Sequence, residues 1–187
     1  MVKLIFLKRT FTVGCSTCLN NNFNSKNISQ EDLNIIEKFY QAFADLDAER
    51  MLEWYHDDVT FEDPAFGVLK GDEAKNMWRM LCQSQQGKDF KVITSNIEYT
   101  RESGKARWEA YYTFSKTGRK VHNVINSTFK FKDGKIINHV DRFSLYKWSK
   151  QAMGMKGFLV GWTAFFKNKM NSQTRFLLSE FQKKQNQ

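Results

Sequence analysis

Asp63, His139 and Asp141 are the side chains that type and spacing best equip to move a proton. Asp63 stands directly before Pro64, the only proline in 187 residues, inside the run YHDDVTFEDPAFGVLKG from Tyr55 to Gly71. A carboxyl in this short apolar strand is expected to face an interior. His139 and Asp141 lie two apart in GKIINHVDRF, where strand alternation puts both on one face with Ile137 and Phe143. Two carboxylates and an imidazole among aromatics suit general acid/base chemistry, in which a positioned side chain takes a proton from one atom and returns it to another. Each also has a plainer reading. Asp63 can accept backbone N–H bonds in the turn that Pro64 opens, and Asp141 can hold a core histidine by a hydrogen bond.

The elements that position these groups are read from periodicity. Ser29-Gln-Glu-Asp32 resembles a capping box, and Leu33, Ile36, Phe39, Tyr40 and Phe43 follow at helical spacing, predicting a helix from about Glu31 to Asp45. A second short helix is expected over Ala48–Tyr55, and a third over Asp72–Cys82 after the break at Gly71. From Phe90 the period becomes two, in the runs Phe90–Arg101, Lys105–Lys116, Lys120–Lys132 and Lys135–Tyr146. The links Glu-Ser-Gly, Thr-Gly and Asp133-Gly134 are hairpin-sized, and Asp-Gly favours a type I′ turn. A four-strand antiparallel meander follows, with Trp108, Ala110, Tyr112 and Phe114 on one face of its second strand. Val121, Asn123, Ile125, Ser127, Phe129 and Phe131 share a face of the third. After Ser149 the helical period returns through Phe158, Leu159, Trp162, Phe165 and Phe166 to Phe176, Leu177 and Phe181, with lysines on the other faces.

The net charge of +9 suggests nucleic acid until it is divided along the chain. Residues 1–30 carry +4 and residues 147–187 carry +7, whereas 31–146 hold 17 cations against 19 acids. Basicity belongs to the ends, so a phosphate-tracking groove across the domain is not expected. Three cysteines are too few for a disulfide scaffold and fit a reducing compartment. Cys15 and Cys18 have CxxC spacing but no second ligand pair for zinc. Cations at Lys8 and Arg9 interrupt the apolar run Leu4–Leu7, which argues against a secretory signal. An acid-poor leader also leaves room for organelle targeting. No run of about 18 apolar residues offers a membrane span.

Helix, helix, EDP strand, helix and meander in that order, with GKIINHVDRFSLYKWSKQAMG at 134–154, resembles the nuclear-transport-factor-two-like superfamily, and within it the polyketide-cyclase (SnoaL-like) branch, over roughly residues 31–152. That superfamily includes ketosteroid isomerases, polyketide cyclases, limonene epoxide hydrolases, dehydratases and non-enzymatic binding domains. The resemblance implies an α+β cone: three N-terminal helices packed on a strongly curved antiparallel sheet, here with a C-terminal helical extension. Asp63 of FEDP matches the isomerase base, but the isomerases' oxyanion tyrosine falls at Phe39 and their protonated strand acid near Ser127. Tyr40 lies about 100° round the helix and is expected to substitute poorly. Asp141 is the nearest match to the cyclases' last-strand acid. Arg107-Trp108-Glu109 with Asp141 loosely copies the epoxide-hydrolase set, although Phe61 and Asp63 replace that family's water-positioning residues.

Three segments are therefore expected: a leader over 1–28 without fixed structure, a cone domain over 29–148, and a basic amphipathic helical extension over 149–187. Asp141 is the expected proton-transfer group, His139 its partner, and Asp63 a second carboxylate across a chamber for a small, largely apolar molecule. Phe39, Tyr40, Phe43, Trp54, Tyr55, Phe66, Trp78, Trp108, Tyr112, Asn123, Ser127 and Phe143 are the expected walls, although the large aromatics also read as core. A non-catalytic binding or scaffold protein would use the same chamber without turnover. Neither metal nor organic cofactor is expected. A cytoplasmic protein, a homodimer by analogy with relatives, and peripheral contact of the basic tail with membrane or protein complete the expectations.

Overall fold

The computed structural model describes residues 34–185. The Ser29–Asp32 capping box and the Cys15/Cys18 pair lie outside them. The first helix, α1 (Ile35–Ala44), is instead capped by Asn34, whose side chain accepts the Glu37 amide while Glu37 accepts the Asn34 amide. Next come α2 (Ala48–Leu52), β1 (Tyr55–Asp63), β2 (Gly67–Lys70) and α3 (Asp72–Gln85). The meander is β3 (Lys91–Tyr99), β4 (Ser103–Phe114), β5 (Arg119–Lys132) and β6 (Lys135–Arg142), and α4 (Leu145–Met153), α5 (Met155–Val160) and α6 (Ala164–Gln185) complete the described chain.

The six strands form one sheet in the order β2-β1-β6-β5-β4-β3. The meander is antiparallel as expected, and Asp133 and Gly134 both have positive φ, as a type I′ hairpin turn requires. The sheet as a whole is mixed, because β1 joins β6 in parallel, with Phe61 beside His139. Helix α2 stops at Leu52, so Tyr55 is the first residue of a strand and not the last of a helix.

Two inward residues differ from simple alternation. A register shift between β5 and β6 pairs Phe131 with Ile136 and Lys130 with Asn138. Ile136 is therefore fully buried, while Ile137, expected beside His139, is only half-buried. Gly104 was expected in a hairpin link but lies within β4, where an added Cβ would stand 2.5 Å from Ile36 Cδ1 and 2.9 Å from the Glu98 carbonyl oxygen. Its missing side chain lets Ile36 of α1 pack directly on the strand.

The main core lies between the sheet's inner face and α1, α2 and α3, and includes Phe39, Phe43, Tyr55, Phe61, Trp78, Trp108 and Phe129. A second cluster of Val121, Trp148, Ala152 and Phe166 covers the far end of β5, and Tyr112 and Phe143 touch both clusters. The C-terminal helices thus cap the open end of the sheet of their own chain. Leu178 of α6 enters the main core. The side chains of Asn171, Thr174 and Arg175 donate to the carbonyl oxygens of Pro64, Ala65, Phe66 and Val68, so α6 closes over the β1–β2 turn.

Candidate active site

The strand register assembles the site. Ser127 on β5 lies directly opposite Asp141 on β6, and Phe129 lies opposite His139. Ala106 pairs with Ser127 across β4–β5, which places Trp108 one inward step away. His139 and Asp141 are 0% and 3% exposed. The imidazole is boxed by rings: stacked on Trp78 at 5.9 Å, edge-on to Phe39 and Phe61, and tilted against Phe129 at 4.3 Å.

The indole N–H groups of Trp78 and Trp108 can only donate, and with Asp141 as a carboxylate they orient two strings of bonds. The Trp78 indole N–H donates to the Tyr55 hydroxyl at 2.7 Å, so the Tyr55 proton goes to His139 Nδ1 at 2.8 Å. Nδ1 is then an acceptor, and Nε2–H donates to Asp141 Oδ1 at 2.9 Å. A second string runs from the other side. The Trp108 indole donates to Ser127 Oγ at 2.9 Å, the Tyr40 hydroxyl donates to the same oxygen at 2.7 Å, and Ser127 O–H donates to Asp141 Oδ1. Both strings end on one carboxylate oxygen. Oδ2 of Asp141 has no hydrogen-bond partner among the described residues, yet it is not among their fully enclosed unpaired atoms.

Burial first, and then the charge of Asp141, push the Tyr40 hydroxyl well above the usual phenol range, against the opposing bond to Ser127. Burial does the same to Tyr55, against the opposing bond from Trp78. Both phenols therefore remain donors at neutral pH.

Asp63 sits at the end of β1, on the strand adjoining Asp141. Its Oδ1 accepts the amides of Ala65 at 2.9 Å and Phe66 at 2.5 Å, an Asx turn opened by Pro64. The turn reading and the interior reading both apply, because desolvation, opposed by the Phe66 amide and aided by the charge of Asp141, pushes its carboxyl up to about 7. Raised above the usual 3.8, this group makes the native state bind more protons than the unfolded chain between about pH 4 and 7. Its contribution is fully present at low pH and is lost as pH rises through 7. Asp63→Asn keeps the turn acceptor and removes the charge. It should be more stable than wild type by on the order of 2 kcal/mol at pH 8, the gap closing toward pH 4, in urea unfolding across that range. A constant gap would show that Asp63 does not titrate there.

The expected walls divide. Phe39, Phe43, Tyr55, Phe66, Trp78 and Trp108 are buried and pack on one another, so they enclose the imidazole more than they line open space. Tyr40, expected to substitute poorly, is fully buried and bonded into the network. Trp54 lies outside it, with Lys38 Nζ 5.2 Å from its ring centroid. Asn123 is half-buried opposite Ala110, and the Tyr112 hydroxyl accepts the Trp148 indole N–H. Arg107, Glu109, Tyr111 and His122 form a bonded set apart from Asp141, which separates the loose epoxide-hydrolase copy from the last-strand acid. No group of three or more His, Cys, Asp or Glu able to hold a metal occurs among the described residues.

Residues 36–139, more than half of the chain, match the SnoaL-like domain, and the chain belongs to that family. The match ends two residues before Asp141. Solved structures agree on the fold. TerC co-crystallised with polyporic acid is 17% identical, with TM-score 0.53 over 63% of this chain and 95% of that one. An LEH-like epoxide hydrolase of M. tuberculosis is 20% identical, with TM-score 0.51 over 67% and 90%. An NTF2-like protein of unknown function from Burkholderia pseudomallei is 14% identical, with TM-score 0.53 over 64% and 95%. At such identities the likeness is one of fold. Comparison with curated proteins gives no match.

Proposed function

We propose that this protein is a cofactor-independent acid/base enzyme that moves a proton on a small, largely apolar carbon acid, with Asp141 as the transferring group. One observation carries this reading: two converging donor strings occupy Oδ1 of Asp141 and leave Oδ2 unpaired among the described residues. A carboxylate held in that way is oriented through one oxygen by hydrogen bonds. Its free oxygen can take a proton from an acidic C–H and return it to another atom of the same molecule. His139, locked as the Nε2–H tautomer, is a positioning residue. Asp63, with a carboxyl near neutrality on the adjoining strand, is suited to relay the proton to water. An activated substrate such as a β-dicarbonyl compound supplies the acidity that a single carboxylate needs.

Non-catalytic binding is favoured by a different observation, the dense packing of rings around His139. Deuterium exchange into a cyclic β-diketone, followed by NMR with the full chain, separates the two. Wild type should accelerate exchange, and Asp141→Asn should lose about 10²- to 10⁴-fold of it, the range of a general base. Equal rates from the two proteins would favour binding without turnover.

A further inference from the structure

Helix α5 is amphipathic in the reverse of the usual sense. Its inward face is glycine. A Cβ added at Gly157 would lie 1.9 Å from the Ser149 carbonyl oxygen, and one at Gly161 would lie 1.8 Å from Ser149 Oγ, so α5 rests backbone-close on α4. Met155, Phe158, Leu159 and Trp162 recur at i, i+3, i+4 and i+7 on the outward side, and Phe165 follows in the first turn of α6. Met155, Trp162 and Phe165 are each more than 70% exposed. The Trp162 indole N–H donates to the Leu159 carbonyl, so its polar atom is satisfied within the turn while the ring stays outside.

The segment that carries this face has charge of a single sign. From Phe143 to Ser179 there is no acidic residue, while Lys147, Lys150, Lys156, Lys167 and Lys169 are present. Lys169 Nζ lies 6.0 Å from the Phe165 ring and Lys150 Nζ 5.1 Å from that of Tyr146. We propose that the outward face of α5 and its turn into α6 docks this protein on an anionic lipid bilayer, the apolar side chains entering the headgroup boundary and the lysines meeting lipid charge.

The physical fit is specific to that occupant. Trp and Phe favour the interface, lysines extend their stems along apolar surface with the ammonium outward, and anionic headgroups attract a cluster of cations. A second copy of the chain would bring like charges together. A nucleic acid would use the lysines but leave Met155, Leu159 and Phe158 in water. No helix among the described residues is long and apolar enough to cross a membrane, so contact would be at the surface. The inference is independent of whether Asp141 is catalytic.

Sedimentation of the full chain with phosphatidylcholine vesicles, with and without one-quarter phosphatidylserine, tests it at low and 0.5 M salt. Wild type should partition at least tenfold better to the anionic vesicles, lose that gain at high salt, and show a blue shift of Trp162 fluorescence on binding. Trp162→Ser with Phe165→Ser, and separately Lys156→Glu with Lys169→Glu, should each cut partition at least tenfold. These side chains are exposed, so unchanged urea midpoints would show both variants folded. The proposal is overturned if wild type ignores anionic vesicles or if the Trp162/Phe165 variant binds as well as wild type. Light scattering that shows a dimer dissolved by the Trp162/Phe165 change would also overturn it, in favour of self-association.

Discussion

Asp141→Ala should lose about 3–5 kcal/mol of folding stability, since it strands two buried donors, Ser127 O–H and His139 Nε2–H, each costing about 1–3 kcal/mol when unpaired. Asp141→Asn should stay within about 1 kcal/mol of wild type, because its carbonyl oxygen takes the place of Oδ1 and both donors remain paired. Urea unfolding at pH 7 reads both. The contrast separates two roles of one residue: the Oδ1 side is structural, and the Oδ2 side is available for chemistry. Equal losses from the two variants would mean that the charge itself, and not the acceptor, holds the network. A wild-type-like Asp141→Ala would show that the strings do not converge there in solution.

Gly157→Ala should lower the melting temperature by roughly 5–10 °C, although alanine is the better helix former by about 1 kcal/mol. The cause is steric and has no side-chain escape. The new methyl would meet the Ser149 carbonyl oxygen at 1.9 Å and its carbon at 2.4 Å, both backbone atoms of α4. Moving α4 displaces Trp148 and Ala152 from the cluster that covers the end of β5, and breaks the Trp148 indole bond to the Tyr112 hydroxyl. Overpacking of this kind costs about 1–3 kcal/mol or more, which over a chain of this length gives the stated shift. Thermal unfolding by circular dichroism checks it, with Lys156→Ala as the exposed neighbour that should change little. Matching curves for Gly157→Ala and wild type would show α5 free to lift from α4.

The meander was legible because alternation and the Asp133-Gly134 turn act over a few residues. The parallel docking of β1 on β6 was not, since that pairing joins strands some eighty residues apart and leaves no local pattern. His139 and Asp141 could be placed on one face by counting alone. The role of Tyr40 could not, because a helical wheel assumes one buried face, whereas the curved sheet wraps α1 widely. Phe39 meets Tyr55 and Trp78 on one side, while Tyr40 meets Trp108 and Ser127 on another. Asp63 shows the opposite limit: turn acceptor and inward-facing carboxyl read as alternatives in the sequence, and one geometry holds both. The apolar residues of α5 were visible, yet their direction depended on Gly157 and Gly161, which mark the buried side only once α4 is in place.

The bonds from Asn171, Thr174 and Arg175 to the Pro64–Val68 turn link positions more than a hundred residues apart. A growing chain emerging from the ribosome would complete its whole sheet while the carbonyls of that turn still faced water. Closure over that turn therefore trails the making of the sheet by a few seconds, at about 5–20 residues per second. Until residues 171–175 are free to fold back, the Asp63 turn stays open to water, and docking of α6 is the event that covers it.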